Sequence, residues 1–367
     1  MTDVLRETLE ERGRATPWED VDALVAAGDR RVRRRRVAGV VAVAAVVAVL
    51  AVVTPIALGG LGQDRTQVAS EAFDPSAPSW AVDGLVHVGD LEVDLGEQPG
   101  AYVLTDAGIV WIDAAYDVRL TDPTGDTERI GSSTDPAAVA LVTDGRYVAW
   151  LDRDEEEFFG YDTAAGKVAG TTRYEEAPRS TGAELPQLIA LDEGRLWTYN
   201  PIANENVASD LSVPGSPQVA GLSYGRQAAL DVSAGRTAIS ASKESVEVMP
   251  LVEGPTRTVP GRDGAILSPD ATYVVTQPRQ DFEVFEVETG VRVLRLDEDE
   301  SLAPLRWLSD RTLEALAVDP VGDEPVDVVT CFVPRGTCET VAEDVAPSYT
   351  DLTMGDGIYS YDTTTVQ

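Results

Sequence analysis

A turn followed by an apolar strand recurs along most of this chain at a nearly constant interval. The turn contains Asp, Gly or Ser, and the strand is rich in Val, Ile, Leu and aromatic residues. The seven copies begin at residues 108, 146, 195, 236, 271, 311 and 357. Their mean spacing of 41.5 residues lies in the range of roughly 40–45 that is typical of a four-stranded β-propeller blade.

Most copies continue with a second pattern, a strand, a turn with Gly and another strand. It is clearest at 118–125, 159–166 and 284–290. Gly permits the positive φ of a tight hairpin, and Asp side chains cap such turns. We interpret these segments as the third and fourth strands of each blade.

Two of these segments carry a family resemblance. The sequences FEVETGVRVLRL at 285–296 and YDTAAG at 161–166 resemble the strand–turn–strand units of WD40-like and TolB-like β-propellers. The Gly-His and Trp-Asp signatures of true WD40 repeats are absent, so the resemblance is to WD40-like propellers in general. It covers about residues 84–367 and implies an architecture without naming a ligand.

The number of blades follows from the two ends of the repeat array. The copy at 357 has room for about one strand, and Gly84–Gly96 supplies a short pair of strands without a blade. Joining them completes a seventh blade and leaves no open edge in the ring. The predicted fold is therefore all-β, a seven-bladed β-propeller. Six or eight blades stay open because the unit from 146 to 195 is long and irregular.

The segment from Val37 to Leu58 contains 22 residues without a charge. A helix of this length reaches about 33 Å, enough for a hydrocarbon core of roughly 30 Å, and Pro55 near its end is tolerated in a membrane helix. The alternative is a cleaved signal peptide, but the 36-residue charged lead and the apolar segment are both long for one. We predict one transmembrane helix over 37–58.

The residues before this helix set its orientation. Six of the seven residues from 30 to 36 are arginines, namely Arg30, Arg31, Arg33, Arg34, Arg35 and Arg36. Positive charge beside the first membrane helix stays in the cytoplasm. The N-terminus is therefore predicted on the cytoplasmic side of the cell membrane and the large domain on the outer side.

Charge is distributed unevenly between the two predicted sides. Residues 1–36 hold nine Arg and eight acidic residues, whereas residues 59–367 hold 20 basic and 55 acidic residues, a net charge of −35. Such a surface repels nucleic acid and anionic lipid, so neither is predicted to bind the large domain. Lys occurs only twice, which with the abundant Ala, Val, Gly and Asp indicates a GC-rich bacterial genome.

The predicted cytoplasmic tail, residues 1–36, contains a helix that begins at Thr16-Pro17-Trp18-Glu19, a capping box with Pro at the first helical position. Its apolar residues fall on one face at helical spacing; they are Trp18, Val21, Leu24 and Val25. This face could rest on the membrane, dock on a cytoplasmic partner or belong to a disordered tail.

A linker over 59–83, rich in Gly, Ser and Pro, joins the predicted transmembrane helix to a propeller over 84–367.

Cys331 and Cys338 are the only cysteines, and they flank a predicted turn between two strands. Folding the strands back places the two side chains opposite each other, and a disulfide is allowed outside the cytoplasm. We predict a structural disulfide. A metal site is disfavoured because two Cys without nearby His supply too few ligands.

The sequence offers no catalytic constellation, and no catalytic, metal or cofactor residue is predicted. His87 is the only histidine and is expected to be an ordinary strand residue. Trp111, Trp150 and Trp197 fall at similar places in three copies and are expected to pack between blades. The acidic runs 152–157 and 297–300 are interpreted as solvated turns, with Ca²⁺ binding as the alternative.

These features predict a non-enzymatic binding or sensory module at the cell membrane. The propeller would bind a protein, peptide or envelope component outside, and the tail would have a regulatory role. The layout is similar to that of membrane proteins of high-GC bacteria that accompany extracytoplasmic-function sigma factors, although the tail has no His or Cys for a zinc-type anti-sigma domain. The alternatives are an envelope enzyme that uses carboxylates in the propeller funnel, and a structural scaffold.

Overall fold

The computed structural model of the chain describes most residues from 73 to 355. The described ranges are 73–133, 141–152, 155–173, 187–200, 205–211, 213, 219–222, 229–261, 264–277, 282–295, 301–318, 325–348 and 351–355. The predicted tail and the predicted helix over 37–58 lie outside these ranges. Within the ranges, no helix has the length and apolar character needed to cross a membrane.

The described strands are numbered in chain order, and each four-stranded sheet is called a blade. Blade 1 contains β1 (Ser79–Val82), β2 (Leu85–Val88) and β3 (Leu91–Asp94), together with β28 (Thr353–Met354). Blade 2 contains β4 (Ala101–Thr105), β5 (Gly108–Ile112), β6 (Asp117–Thr121) and β7 (Thr127–Ser132). Blade 3 contains β8 (Val142–Thr143), β9 (Tyr147–Asp152), β10 (Glu157–Asp162) and β11 (Lys167–Arg173).

The remaining four blades follow in the same way. Blade 4 contains β12 (Gln187–Asp192), β13 (Arg195–Asn200), β14 (Glu205–Asp210) and β15 (Val219–Leu222). Blade 5 contains β16 (Ala229–Ser233), β17 (Arg236–Ser242), β18 (Ser245–Pro250) and β19 (Arg257–Pro260). Blade 6 contains β20 (Ala265–Leu267), β21 (Tyr273–Thr276), β22 (Glu283–Glu286) and β23 (Arg292–Arg295). Blade 7 contains β24 (Ser301–Trp307), β25 (Thr312–Val318), β26 (Val326–Phe332) and β27 (Thr337–Ala346), and a 3₁₀ turn at Val333–Arg335 connects the last two strands.

The sheets are antiparallel, and in blades 2–7 the four strands are neighbours in the order in which the chain makes them. The first strands of successive blades touch one another, as β12 touches β8 and β16. They therefore line the inside of a ring, and the fourth strands lie on its circumference. The fold is an all-β, seven-bladed propeller, which confirms the predicted fold class and excludes six or eight blades.

The repeat in the sequence corresponds to the second strand of each blade. β5, β13 and β17 begin at 108, 195 and 236, and the other second strands of blades 3, 6 and 7 begin one or two residues after the predicted starts. Each second strand of blades 2–7 lies within its sheet and contains at least three consecutive buried residues. For this reason it gave the strongest periodic signal.

Ring closure occurs in blade 1, as predicted, and the predicted pair of strands in Gly84–Gly96 is present as β2 and β3, but the ring is closed by β28 and β1. β28 pairs with β1, with Trp80 opposite Met354 and Ala81 opposite Thr353. The predicted closing strand at 357–359 lies outside the described residues. β1 falls within 59–83, which was predicted to be linker. It is only four residues long and follows Pro and Ser residues, so it shows too little pattern to be recognised.

Apolar side chains fill the spaces between neighbouring blades. Trp111 packs on the blade 1 side of blade 2, and Trp150 packs on the blade 2 side of blade 3. Trp197, two residues after the start of its strand, packs instead between blades 4 and 5. The prediction that these side chains pack between blades is confirmed. Their places are not equivalent, because a shift of one residue turns a strand side chain to the opposite face.

Candidate functional site

The described residues include the single histidine and many carboxylates. They contain no group of three or more His, Cys, Asp and Glu side chains that could hold a metal ion. His87 lies in strand β2, as predicted, with its ring stacked on that of Trp80 at a centroid distance of 4.8 Å. Its Nδ1 lies 3.6 Å from a carboxylate oxygen of Glu92. The histidine is thus engaged by neighbours in its own sheet.

The most polar part of the interior lies where blade 7 meets blade 1. Arg306 in β24 donates a hydrogen bond from Nε to Oε2 of Glu314 in β25 at 2.8 Å, and the two side chains are 8% and 0% exposed. The remaining nitrogens of Arg306 reach the chain that enters blade 1. Nη1 donates to the Pro75 carbonyl at 3.1 Å, and Nη2 donates to the Ala77 carbonyl at 2.6 Å.

Ser79, the first residue of β1, completes this arrangement. Its backbone N–H donates to Oε1 of Glu314 at 2.6 Å, and its Oγ accepts from Nη2 of Arg306 at 3.0 Å. The Tyr102 hydroxyl in β4 donates to the same Oγ at 3.2 Å. Burial raises the pKa of the Tyr102 hydroxyl far above its ordinary value. Ser79, Tyr102, Arg306 and Glu314 are called the closure network below.

The closure network also contacts the end of the chain that closes the ring. Gly355 follows β28 and forms a parallel bridge with Tyr102. A Cβ at residue 355 would lie 2.9 Å from the Tyr102 ring and 3.0 Å from Ser79 Oγ, so only glycine fits without displacement. The network therefore joins blades 7, 1 and 2 with both ends of the propeller.

Hydrogen bonds between turns define one face of the ring. The N–H of Asp106, which follows β4, donates to the Gly145 carbonyl at 2.6 Å. The N–H of Gly194, which follows β12, donates to Oδ2 of Asp144 at 2.7 Å. The turns after the first strands of blades 2, 3 and 4 therefore lie side by side. Because neighbouring strands are antiparallel, the third strands also end at this face.

Both ends of the propeller emerge at this same face. Pro78, just before β1, accepts a hydrogen bond from the N–H of Gly89, which follows the third strand of blade 1, at 2.8 Å. Gly355 follows β28, the first strand of that blade. We call this side, where the first and third strands end, the entry face. The opposite side, where the second and fourth strands end, is the distal face.

Arginines on the entry face are held in ion pairs that link blades or strands. Arg236 and Arg257 of blade 5 both donate to the Glu288 carboxylate of blade 6, and these bonds lower the pKa of Glu288. Arg146 donates from Nη2 to Oδ2 of Asp162 at 2.6 Å, which lowers the pKa of that carboxyl. These side chains stabilise the face that receives the entering chain.

The distal face also has exposed negative charge. The exposed carboxylates there include Asp83, Glu97, Glu155, Glu156, Glu205 and Glu244. The basic residues on the described part of this face include Arg173, which pairs with Glu157 at 2.7 Å, and the exposed Lys243. Such a surface is complementary to a partner with positive charge.

The acidic run at 152–157 contributes two carboxylates to hydrogen bonds of blade 3. Asp152 is buried and accepts a hydrogen bond from Ser132 Oγ of blade 2 at 2.7 Å. Glu157 accepts from Arg173, as noted above. The run at 297–300 lies outside the described residues.

The predicted disulfide is present, because Cys331 and Cys338 are bonded and lie directly opposite each other in β26 and β27. The predicted docking helix with Trp18, Val21, Leu24 and Val25 lies outside the described residues, as does the arginine run. The closure network was not predicted. A signal existed, since Arg306 and Glu314 are single charges within the otherwise apolar strands SLAPLRW and TLEALAV. A buried charge in such a strand needs a partner.

Comparison with known proteins adds the fold and nothing more specific. No family model and no curated protein matches the chain. The computationally designed Ika8 protein is similar in structure, with 15% identity, a TM-score of 0.50 and coverage of 73% of this chain and 83% of that chain. BamB from Moraxella catarrhalis is 16% identical, with a TM-score of 0.43 and coverage of 75% and 89%. At such identities a likeness shows the propeller fold alone.

Proposed function

We propose that this chain is a single-pass membrane protein whose propeller lies outside the cytoplasm and binds a protein or another envelope component without catalysis. One observation carries the proposal, namely that both ends of the propeller emerge at the entry face. The chain therefore enters and leaves the described propeller away from the distal face. The distal face and the circumference remain accessible to a partner.

The sequence supports the tethered arrangement. The 22 uncharged residues from 37 to 58 follow the arginine run, and 14 residues separate them from residue 73. Fourteen extended residues span at most about 50 Å. The propeller would therefore stay within about that distance of the membrane. The disulfide between Cys331 and Cys338 fits an oxidising compartment.

The charge of the propeller supports a partner of opposite sign. Exposed carboxylates dominate the described part of the distal face, and the chain from 59 to 367 carries a net charge of −35. A basic protein or envelope component would be attracted, whereas nucleic acid would be repelled. The amphipathic tail face with Trp18 and Leu24 would dock on a cytoplasmic partner and give the module its regulatory output.

A fusion experiment tests the topology. Alkaline phosphatase, which is active only outside the cytoplasm, is joined after residue 36 in one fusion and after residue 367 in another. Activity is expected for the second fusion alone. Activity of the first fusion, or inactivity of a stably expressed second fusion, would overturn the tethered arrangement.

In-cell photo-crosslinking tests the binding role. A photoreactive amino acid is placed at Glu156 or Glu244 on the distal face, at Thr340 on the circumference, and at Asp90 on the entry face as the control. One discrete adduct from the distal face or circumference is expected, with none from Asp90. Adducts from Asp90 alone, or none from any position, would exclude the proposed binding role.

A further inference from the structure

The outermost strand of blade 7 differs from the other strands on the circumference. β27 has ten residues and is the longest described strand. Its first five side chains, Thr337 to Val341, are all exposed, so neither face of this part of the strand is covered. No other described strand pairs with its outer edge. Its pairing with β26 is regular over Thr337–Thr340, and another strand could add along the outer edge of this stretch.

β27 has neither the basic side chains nor the short length that protect the other outer strands. Proteins protect such edges with charged side chains, above all Lys, with Pro, with bulges or with very short strands. The fourth strands β7, β11, β19 and β23 each contain Arg, and β3 and β15 have only four residues. β27 contains neither basic residues nor Pro. Its pairing with β26 is regular from Thr337 to Thr340; the register then shifts at Val341, and Asp344 has a φ of 54°.

The disulfide shows which backbone groups of β27 point outward. Cys331 and Cys338 are directly opposite, with their Cα atoms 4.0 Å apart. Such a short separation is typical of a non-hydrogen-bonded pair, whose N–H and C=O groups point away from the partner strand. The N–H and C=O of Cys338, and those of Thr340 two residues later, are therefore directed at the open edge.

Charge decides what kind of strand this edge would receive. Glu339, Glu343 and Asp344 make the strand acidic, while the nearest basic side chain, Arg335, lies in the preceding turn over the Phe332 ring. A second copy of β27 would bring like charges together, which destabilises strand pairing. An extended segment with Lys or Arg has the complementary charge.

We propose that the outer edge of β27 binds an extended, basic peptide segment of a partner protein, which adds to blade 7 as a fifth strand. Backbone hydrogen bonds to Cys338 and Thr340 would hold the segment, and the acidic side chains would select its positive charge. The disulfide fixes the start of β27, so the edge is formed before binding. This inference rests on the proposed binding function and assigns it a surface.

Peptide titration of the full-length chain in detergent micelles tests the inference. The probe is a fluorescent ten-residue peptide of alternating Lys and Val, followed by anisotropy. Its controls are the same peptide N-methylated at alternate residues, which removes donors along one edge, and a Glu–Val version. Saturable binding of the Lys–Val peptide is expected, weakened at least tenfold in each control.

Two variants at one position locate the contact. Thr340→Pro removes an outward N–H that makes no bond to β26, so folding is retained; binding is expected to fall at least tenfold. Thr340→Val keeps the N–H and is expected to bind as the wild type does. Thermal unfolding of both variants checks the fold. Equal binding by Thr340→Pro and Thr340→Val would overturn the inference.

Charge variants separate the edge from the general acidity of the protein. Glu339→Lys with Glu343→Lys is compared with Asp90→Lys and Glu92→Lys in blade 1, which changes the net charge equally. Only the first pair is expected to weaken binding, by at least tenfold. An equal effect of both pairs, or no binding of the Lys–Val peptide, would overturn the inference. Crosslinking from Glu156 but not from Thr340 would do the same while leaving the proposed binding function intact.

Discussion

At the scale of single residues, the closure network places two buried charges where a substitution has a large effect. Arg306→Leu would leave the Glu314 carboxylate buried without its ion pair and would remove the donors to Pro75 and Ala77. We expect a loss of about 3–5 kcal/mol in the free energy of unfolding. Urea unfolding followed by tryptophan fluorescence measures it.

The double variant Arg306→Leu/Glu314→Leu is the matched control. It removes both charges together, so it is expected to be less destabilised than Arg306→Leu alone. The interpretation fails if Arg306→Leu unfolds within about 1 kcal/mol of the wild type, or if the double variant is the less stable of the two.

Asp113 leads to a prediction about pH. Its side chain is 2% exposed, and Nε of Arg119 donates to its Oδ2 at 2.5 Å. Burial raises the pKa of Asp113, but hydrogen bonds from Arg119 and from the backbone of Asp117 and Ala115 outweigh burial, and the pKa is lowered. The bonds therefore stabilise the protein above the ordinary Asp pKa of about 3.9, and this stability is lost as pH falls through the lowered pKa.

Asp113→Asn tests this dependence. At pH 7 the variant is expected to lose about 1.5–3 kcal/mol of unfolding free energy, since a bond to a charged group is replaced. The difference from the wild type should shrink as the pH falls below about 3.9, because the unfolded chain then gains a proton at Asp113 that the folded protein takes up only at lower pH. Urea unfolding of both proteins from pH 7 to pH 2.5 measures it. A difference that stays constant over this range would contradict the role assigned to the carboxylate.

Single residues differ in how far the sequence reveals their role. The disulfide between Cys331 and Cys338 was predictable because the partners are only seven positions apart, on either side of one turn. The contact of Ser79 with Glu314 was not, since they are 235 positions apart in the sequence and only the closed ring brings them together. Trp197 packs between blades as expected, but on the opposite side of its blade from Trp111 and Trp150, because an offset of one residue in a strand reverses its side chains.

At the scale of elements, the close approach of neighbouring blades depends on small residues in outer strands. Gly131 in β7 faces Trp150 of the next blade, and a Cβ there would overlap the indole ring. We expect Gly131→Ala to cost about 1–3 kcal/mol, because the buried Trp150 has little room to move. Thermal unfolding monitored by circular dichroism gives the comparison.

Gly170 in β11 is the control for Gly131. It too lies in a fourth strand, but a Cβ there would have its nearest neighbour at 3.7 Å, an ordinary contact. Gly170→Ala is expected to unfold near the wild-type temperature. Adding Trp150→Phe to Gly131→Ala should recover part of the lost stability. Equal destabilisation by the two Gly→Ala changes would show that Trp150 does not set the blade spacing.

The elements themselves follow from local patterns to different degrees. Second strands such as β5 and β9 have long runs of buried residues and were found in the sequence. β1 was missed because its burial comes from packing against blade 7 and from pairing with β28, neither of which leaves a local pattern. A local sequence pattern shows how a strand is buried within its own blade. The position of β1 depends instead on contacts with segments far away in the sequence, namely blade 7 and β28.

At the scale of the whole molecule, the number of blades was predictable because the repeat period and the length of the array together fix it. Closing the ring in blade 1 was also predictable, since an incomplete unit stood at each end. The closure network and the shared entry face depend on contacts across the closed ring. They become visible only when strand directions and long-range hydrogen bonds are known.

Truncation of the C-terminus tests whether the closing strand holds the ring together. A chain ending at Leu352 loses β28, the hydrogen bonds of Thr353 with Gln98 and Pro99, and the contact of Gly355 with Tyr102. The inner edge of β1 would be exposed as an unpaired strand. We expect a loss of several kcal/mol in the free energy of unfolding, aggregation, and faster hydrogen exchange in β1.

A chain ending at Gly355 is the control. It keeps all these contacts and should match the full-length protein in unfolding midpoint and in the hydrogen exchange of β1. If the chain ending at Leu352 behaved like the one ending at Gly355, closure would rest on the buried ion pair of Arg306 and Glu314 and not on the paired strand.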